Sequence, residues 1–146
     1  GMKSTRWSLA KAAFASFTTP GSATSLLQRW TALCRDLNVT VSNALMWWRT
    51  IRRRHCESHR YYHTTRHLED LFRVATELNG NKPVSNDISL AIFFHDIVYD
   101  PVRKDNEILS AEIFRDFART CAPKFSGTER VAAWIERKCV FDGITR

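Results

Sequence analysis

The sequence lacks several features that mark particular classes of protein. Its four cysteines form no Cys-X-X-Cys pair, which argues against a zinc knuckle or a dithiol redox motif. It has no apolar run long enough for a membrane-spanning helix or a secretory leader. These absences favour a cytoplasmic protein with reduced thiols and no membrane partner. No Asp or Glu precedes Asp36, so an organellar transit peptide is the alternative interpretation of the N-terminus.

The composition is that of one globular domain with a positive net charge. Hydrophobic residues make up 44% of the 146 residues and charged residues 25%. The net charge is +7, and part of it lies in a run of arginines at Arg49 and residues 52–54. Such a run is usually a solvated helix face, although it could also meet an anionic substrate or an acidic partner. Nucleic-acid binding is not favoured, because aromatic residues do not alternate with the basic ones.

Apolar residues recur at helical spacing along most of the chain, and no segment of useful length alternates with a period of two. We predict an N-terminal extension over residues 1–23 and an all-α, HD-domain-like bundle of about six helices over residues 24–146. One of these helices carries five apolar residues into His95, and Asp87 is its predicted N-cap. The helix over residues 106–120 is predicted to turn Ile108 inward, together with Ala111, Phe114 and Phe117.

The His95-Asp96 pair stands out because it lies within the most apolar segment of the chain. Burying a carboxylate and an imidazole inside such a helix is costly unless both are paired or bind a metal ion. A third ligand would have to come from a neighbouring helix, and a histidine near the start of the preceding helix suits that position. The alternative is a hydrogen-bonded core pair without a metal.

Four of the five histidines occur at intervals of four residues, at His55, His59, His63 and His67. On a continuous helix they would form one stripe. Because residues 55–62 are polar and aromatic, we interpret that segment as a connector instead. For a single histidine, a surface or capping position is the more common situation.

Two blocks of sequence resemble the signatures of a predicted metal-dependent phosphohydrolase group within the HD superfamily. The first block is ESHRYYHTTRHL at residues 57–68, and the second is FHDIVYDP at residues 94–101, followed by DNE at residues 105–107. The resemblance covers roughly residues 27–138. It implies an all-helical fold and a metal site made by a first His, an adjacent His-Asp pair and a distant Asp.

The resemblance also implies roles for individual residues. His67, His95 and Asp96 would be the metal ligands, for Mn, Fe, Zn or, less well, Mg. The catalytic group would be His63, as a proton relay, with Asp96 and Arg66. The expected substrate is a small phosphorylated molecule, such as a nucleotide. The residues expected to contact it are Arg60, His59, Asp100, Asp105 and Glu107, although the three acids could equally hold a second cation, a water or a basic neighbour, or charge a helix N-terminus.

The chain departs from the family pattern near its end. No histidine follows His95, and Asp142 is the only acid after Glu136. The closing helices of the family pattern are also missing, so we interpret the chain as either a fragment or a naturally short protein with an altered site. In both cases we expect an uncovered apolar surface and self-association into a homo-oligomer. The alternative function is a catalytically impaired HD-like module for binding or interaction.

Overall fold

The structure, a computed structural model, describes residues 22–60 and 63–137, and for residues 22–25 it describes the backbone only. The described residues form six α-helices and no strand, which confirms the predicted all-α bundle. The predicted boundary after residue 23 falls inside the first helix, and residues 1–21 lie outside the described part. In chain order the helices are α1 (Ser22–Asp36), α2 (Val41–His55), α3 (Thr65–Leu78), α4 (Asn86–Phe94), α5 (Asn106–Cys121) and α6 (Thr128–Arg137).

The turn between α1 and α2 follows from its local sequence. Asn38 adopts a left-handed backbone conformation with φ of 58°, which asparagine tolerates better than most residues. Thr40 then caps α2, since its side chain accepts a hydrogen bond from the Asn43 N–H at 3.3 Å. Across the turn, Trp30 Nε1–H donates to the Ala44 carbonyl at 2.9 Å. These bonds fix the two helices against each other at their shared end.

Helix α4 is the centre of the bundle. Residues 90–94 are fully buried, as their apolar sequence predicts, and α4 contacts α1, α3, α5 and α6. Its two phenylalanines pack against aromatic rings from other helices. Phe93 meets Trp30 edge to face at 5.2 Å between ring centroids, and Phe94 lies 5.1 Å from Phe117. This packing holds the end of α4, where His95 and Asp96 follow, in a fixed place.

Two details of the helix predictions are wrong. Ser85, and not Asp87, is the N-cap of α4, because its hydroxyl accepts from the Ile88 N–H at 3.3 Å. Asp87 lies in the first turn and accepts from Arg130 Nε at 2.9 Å. Ile108 is 52% exposed. Ile108 and Ser110 are two residues apart on α5, so their side chains point about 160° away from each other around the helix axis. Because Ser110 is fully buried, Ile108 faces solvent.

None of the helices in the described ranges is long and apolar enough to cross a membrane. The predicted self-association through an uncovered apolar surface stays a prediction. The large hydrophobic side chains that are exposed among them lie on different elements, and they are Met46, Leu78, Val102 and Ile108.

Candidate metal centre

Three potential metal ligands meet between the start of α3 and the end of α4. His63 lies in the segment just before α3, His67 in its first turn, and Asp96 just after α4. One ligand atom from each lies within 4.8 Å of the other two. His63 Nδ1 is 2.5 Å from Asp96 Oδ2, so an imidazole and a carboxylate far apart in the sequence are in direct contact.

His95 borders this cluster. Because α4 ends at Phe94, His95 caps the helix C-terminus, and the His-Asp pair follows the buried helix instead of lying inside it as predicted. Its side chain is 7% exposed, with Nδ1 at 2.6 Å from the Ile92 carbonyl and Nε2 at 2.8 Å from Asp96 Oδ2. The His67 and His95 rings lie 5.7 Å apart between centroids. All three predicted ligands are therefore in one place.

The electrostatics of the site favour cation binding. Burial raises the pKa of Asp96, but hydrogen bonds from His63 and His95 outweigh it and hold this pKa well below its usual range. Burial, with the nearby His95, lowers the pKa of His67. At neutral pH the site thus offers a carboxylate and a neutral imidazole, the protonation states that a divalent cation requires. Nitrogen and oxygen donors of this kind fit Zn, Mn or Fe better than Mg.

Arg60 does not face solvent, contrary to its predicted role in binding phosphate. Its side chain is 0% exposed. Its guanidinium donates to the carbonyl oxygens of His63, Asp96 and Ile97 and to the Glu57 carboxylate, at 2.7–3.2 Å. Through these hydrogen bonds, Arg60 joins the segment between α2 and α3 (residues 56–64, the α2–α3 connector) to the turn after α4.

His59 and Tyr99 form the exposed edge of the site. His59 Nε2 lies 2.7 Å from the Tyr99 carbonyl oxygen, and the two rings stack at 6.3 Å. The Tyr99 ring also packs on the His63 ring at 4.0 Å between centroids. His59 is therefore linked to His63 through the Tyr99 ring, and its expected contact with the substrate stays a prediction. Tyr99 had no predicted role, although its place three residues after Asp96 put it near the site.

The predicted acidic loop has structural partners of its own. Asp105 accepts two hydrogen bonds from Arg103, both at 2.8 Å, so it has the basic neighbour that was one of the predicted alternatives. Asp100 Oδ1 accepts from the Val102 N–H at 3.0 Å and shapes the loop. Glu107 lies in the first turn of α5, where its charge favours the helix N-terminus. These acids lie outside the three-donor cluster.

Two further residues complete the surroundings. Arg66 is exposed in the first turn of α3, next to His67. His55 is the last residue of α2 and is 1% exposed, so of the two expected situations, surface or capping, it does not have the surface position. The apolar stripe of α2 continues to its end and buries it, a signal that the polar neighbours of His55 obscured. Asp142 lies outside the described residues.

No family model, no curated protein and no solved structure matches this chain. Any functional conclusion therefore depends on the arrangement of these side chains.

Proposed function

We propose that the protein is a metal-dependent phosphohydrolase of the HD type, acting on a phosphate ester such as a nucleotide. The observation that carries this proposal is the meeting of His63, His67 and Asp96, with His95 in contact with the same carboxylate. The donors come from two segments about 30 residues apart, each positioned by a helix end. Several imidazoles around one ionised carboxylate form a nitrogen and oxygen donor set that suits a divalent cation.

We assign the metal to His67, His95 and Asp96, with His63 beside it. When bound, the cation would lower the pKa of a water and withdraw charge from a phosphoryl oxygen. His95 suits this role because its Nδ1–H donates to the Ile92 carbonyl while its Nε2 faces Asp96 Oδ2 at 2.8 Å. A bound cation would replace the proton between Nε2 and Asp96 and leave His95 protonated on Nδ1 alone. That tautomer is the one metal-binding histidines usually adopt.

His63 is assigned the proton transfer because it is more accessible than His95, at 28% against 7% side-chain exposure. Asp96 accepts from its Nδ1 and Tyr99 packs on its ring, so its orientation is fixed. As water attacks phosphorus and the bond to the leaving oxygen breaks, His63 would give its proton to that oxygen. It would regain a proton from solvent.

Arg66 is assigned to the substrate phosphate. It is exposed beside His67, whereas the Arg60 guanidinium is fully buried. A guanidinium matches two phosphate oxygens in a fixed geometry. His59 at the edge of the site would contact the part of the substrate farther from phosphorus.

The proposal is tested on protein purified without a chelator. We expect elemental analysis to find about one divalent metal per chain, and we expect metal-dependent release of phosphate from nucleoside monophosphates or p-nitrophenyl phosphate. Hydrolysis that survives removal of the metal, or protein that takes up no Mn, Zn or Fe, contradicts the proposal.

A binding module without turnover is the second candidate. One observation favours it: in the ranges that the structure describes, the three-donor cluster draws on the α2–α3 connector, α3 and the end of α4, and includes no donor from α5 or α6. Fewer protein donors mean weaker metal binding. Binding of a nucleotide with no turnover in any of the four metals would select this function.

A further inference from the structure

His55 holds a buried nitrogen that no side chain or backbone group of the described residues satisfies. Its Nδ1 lies 2.8 Å from the Ile51 carbonyl oxygen, one helical turn earlier. Since a carbonyl only accepts, Nδ1 carries the proton and Nε2 of the neutral ring keeps its lone pair. Nε2 is fully buried and has no hydrogen-bond partner among the described residues. A buried acceptor of this kind usually has a ligand, an ion or a water to satisfy it.

His55 ends α2 five residues before Arg60, whose guanidinium donates to the Asp96 carbonyl at 2.7 Å, so the end of this helix approaches the turn that carries Asp96. Burial lowers the pKa of His55 to about 3, and the charges of Arg60, His95 and Asp96 also act on that pKa. The ring is therefore neutral at physiological pH, and its lone pair is available to a cation. Arg60 cannot satisfy it, because the guanidinium donates to Glu57 and to three backbone carbonyls.

His55 and His95 share one arrangement. Each stands at the C-terminal end of a helix, and each places Nδ1 on a carbonyl of the last turn, those of Ile51 and Ile92. In both rings Nε2 is the nitrogen that does not bond the helix carbonyl, and in both it is buried. Histidines that bind metals commonly fix their tautomer and ring orientation in this way.

We propose that His55 is a further ligand of the metal centre, binding through Nε2 alongside His95. The inference rests on the proposed function, since it requires a metal at this site. His55 lies outside the three donors that are within 4.8 Å of one another, so the donors must draw together when the metal binds. Helix α2 would then contribute to a site otherwise built from the α2–α3 connector, α3 and the end of α4.

The direct test uses the full chain, labelled with nitrogen-15 in its histidines and loaded with isotopically enriched cadmium. We expect a one-bond coupling between cadmium and Nε2 of His55. If His67 or His95 shows such a coupling and His55 does not, this inference is overturned while the proposed function stands. If the parent protein takes up no metal of any kind, both fail.

A matched pair of variants gives an independent measure. His55→Phe keeps a flat ring of similar size in the buried position but removes the donor, and His59→Phe makes the same change at the exposed His59. We expect His55→Phe to weaken zinc binding, measured by competition with a chelator, by at least about tenfold, and His59→Phe to change it little. A folded His55→Phe protein with the parent affinity overturns the inference. If His55→Phe fails to fold, the cadmium coupling in the parent protein decides.

Discussion

The Arg60 guanidinium donates to the backbone carbonyl of Asp96 at 2.7 Å, so a buried cation fixes the segment that carries the central carboxylate of the site. The same side chain bonds the carbonyl of Ile97 from the turn after α4 and that of His63 from the connector. It thereby holds together two segments that are distant in the sequence. The placement of His63 against Asp96 depends on this cross-link.

Arg60→Leu should therefore destabilise the protein strongly. The change leaves three backbone carbonyls without their donor, and each buried unsatisfied group costs about 1–3 kcal/mol. We expect the free energy of unfolding, measured with urea, to fall by at least about 3 kcal/mol, the lower limit for three such groups. Arg73→Leu is the control, since Arg73 pairs with Asp70 and Glu77 at exposed positions, and its loss should cost about 0–1 kcal/mol. Equal losses in the two variants would mean that Arg60 does not hold the site together.

His55 should make stability fall with acidity. Burial lowers its pKa in the folded protein to about 3, whereas an unfolded histidine titrates near pH 6.5. Between about pH 6.5 and pH 3, His55 is therefore protonated in the unfolded chain and neutral in the folded protein. Its contribution to stability is complete above about pH 6.5 and is lost as pH falls toward 3.

The corresponding measurement is urea unfolding of metal-free protein between about pH 7 and pH 5. We expect His55→Phe to reduce the slope of stability against pH by up to about 1.4 kcal/mol per pH unit, the value for one proton. His67, whose pKa is also lowered, contributes in the same direction and leaves part of the slope in place. An unchanged slope would show that His55 is protonated in the folded protein or exposed to water.

The sequence predicted the helices because they depend on periodic apolar patterns, whereas the grouping of His67, His95 and Asp96 was implied by the resemblance of two sequence blocks. The apolar stripes identify the buried faces, and the uninterrupted run at residues 90–94 identifies the central helix. Arg60 could not be assigned correctly, because its partners are mostly backbone carbonyls, which leave no mark in a pattern of side chains. Its place in the first of the two blocks led to the expectation that it contacts the substrate phosphate.

His63→Ala should separate metal binding from turnover. If His63 carries the proton, we expect the variant to retain the metal content of the parent and to hydrolyse the same substrate about 10²–10⁴-fold more slowly. The limb of the pH–rate profile that reports an acid should disappear with it. Loss of metal in this variant would instead make His63 a ligand, in line with its place among the three closest donors.

Asp96 is the residue on which the metal assignment depends most. It is the only carboxylate in the three-donor cluster, and its Oδ2 lies 2.5 Å from His63 Nδ1 and 2.8 Å from His95 Nε2. Asp96→Ala should abolish metal uptake, as should His95→Ala, while His59→Ala should leave it unchanged. Metal content by elemental analysis checks all three. Unchanged content in Asp96→Ala would remove the chemical basis of the phosphohydrolase proposal.

Thermal unfolding with and without Mn distinguishes a metal ligand from a purely structural anion at Asp96. A ligand binds only the folded state, so Mn at 100 times its dissociation constant should stabilise the parent by about 2.7 kcal/mol and Asp96→Ala not at all. If Asp96 is a structural anion, Mn should change the stability of neither protein, and Asp96→Ala should be less stable than the parent by about 3–5 kcal/mol because two imidazoles lose their shared partner.

Because the folded-state pKa of Asp96 is held below its usual range, its stabilising contribution is present above about pH 4 and is lost as pH falls further. The comparison should accordingly be made near pH 7, where the carboxylate is ionised in both the folded and the unfolded chain.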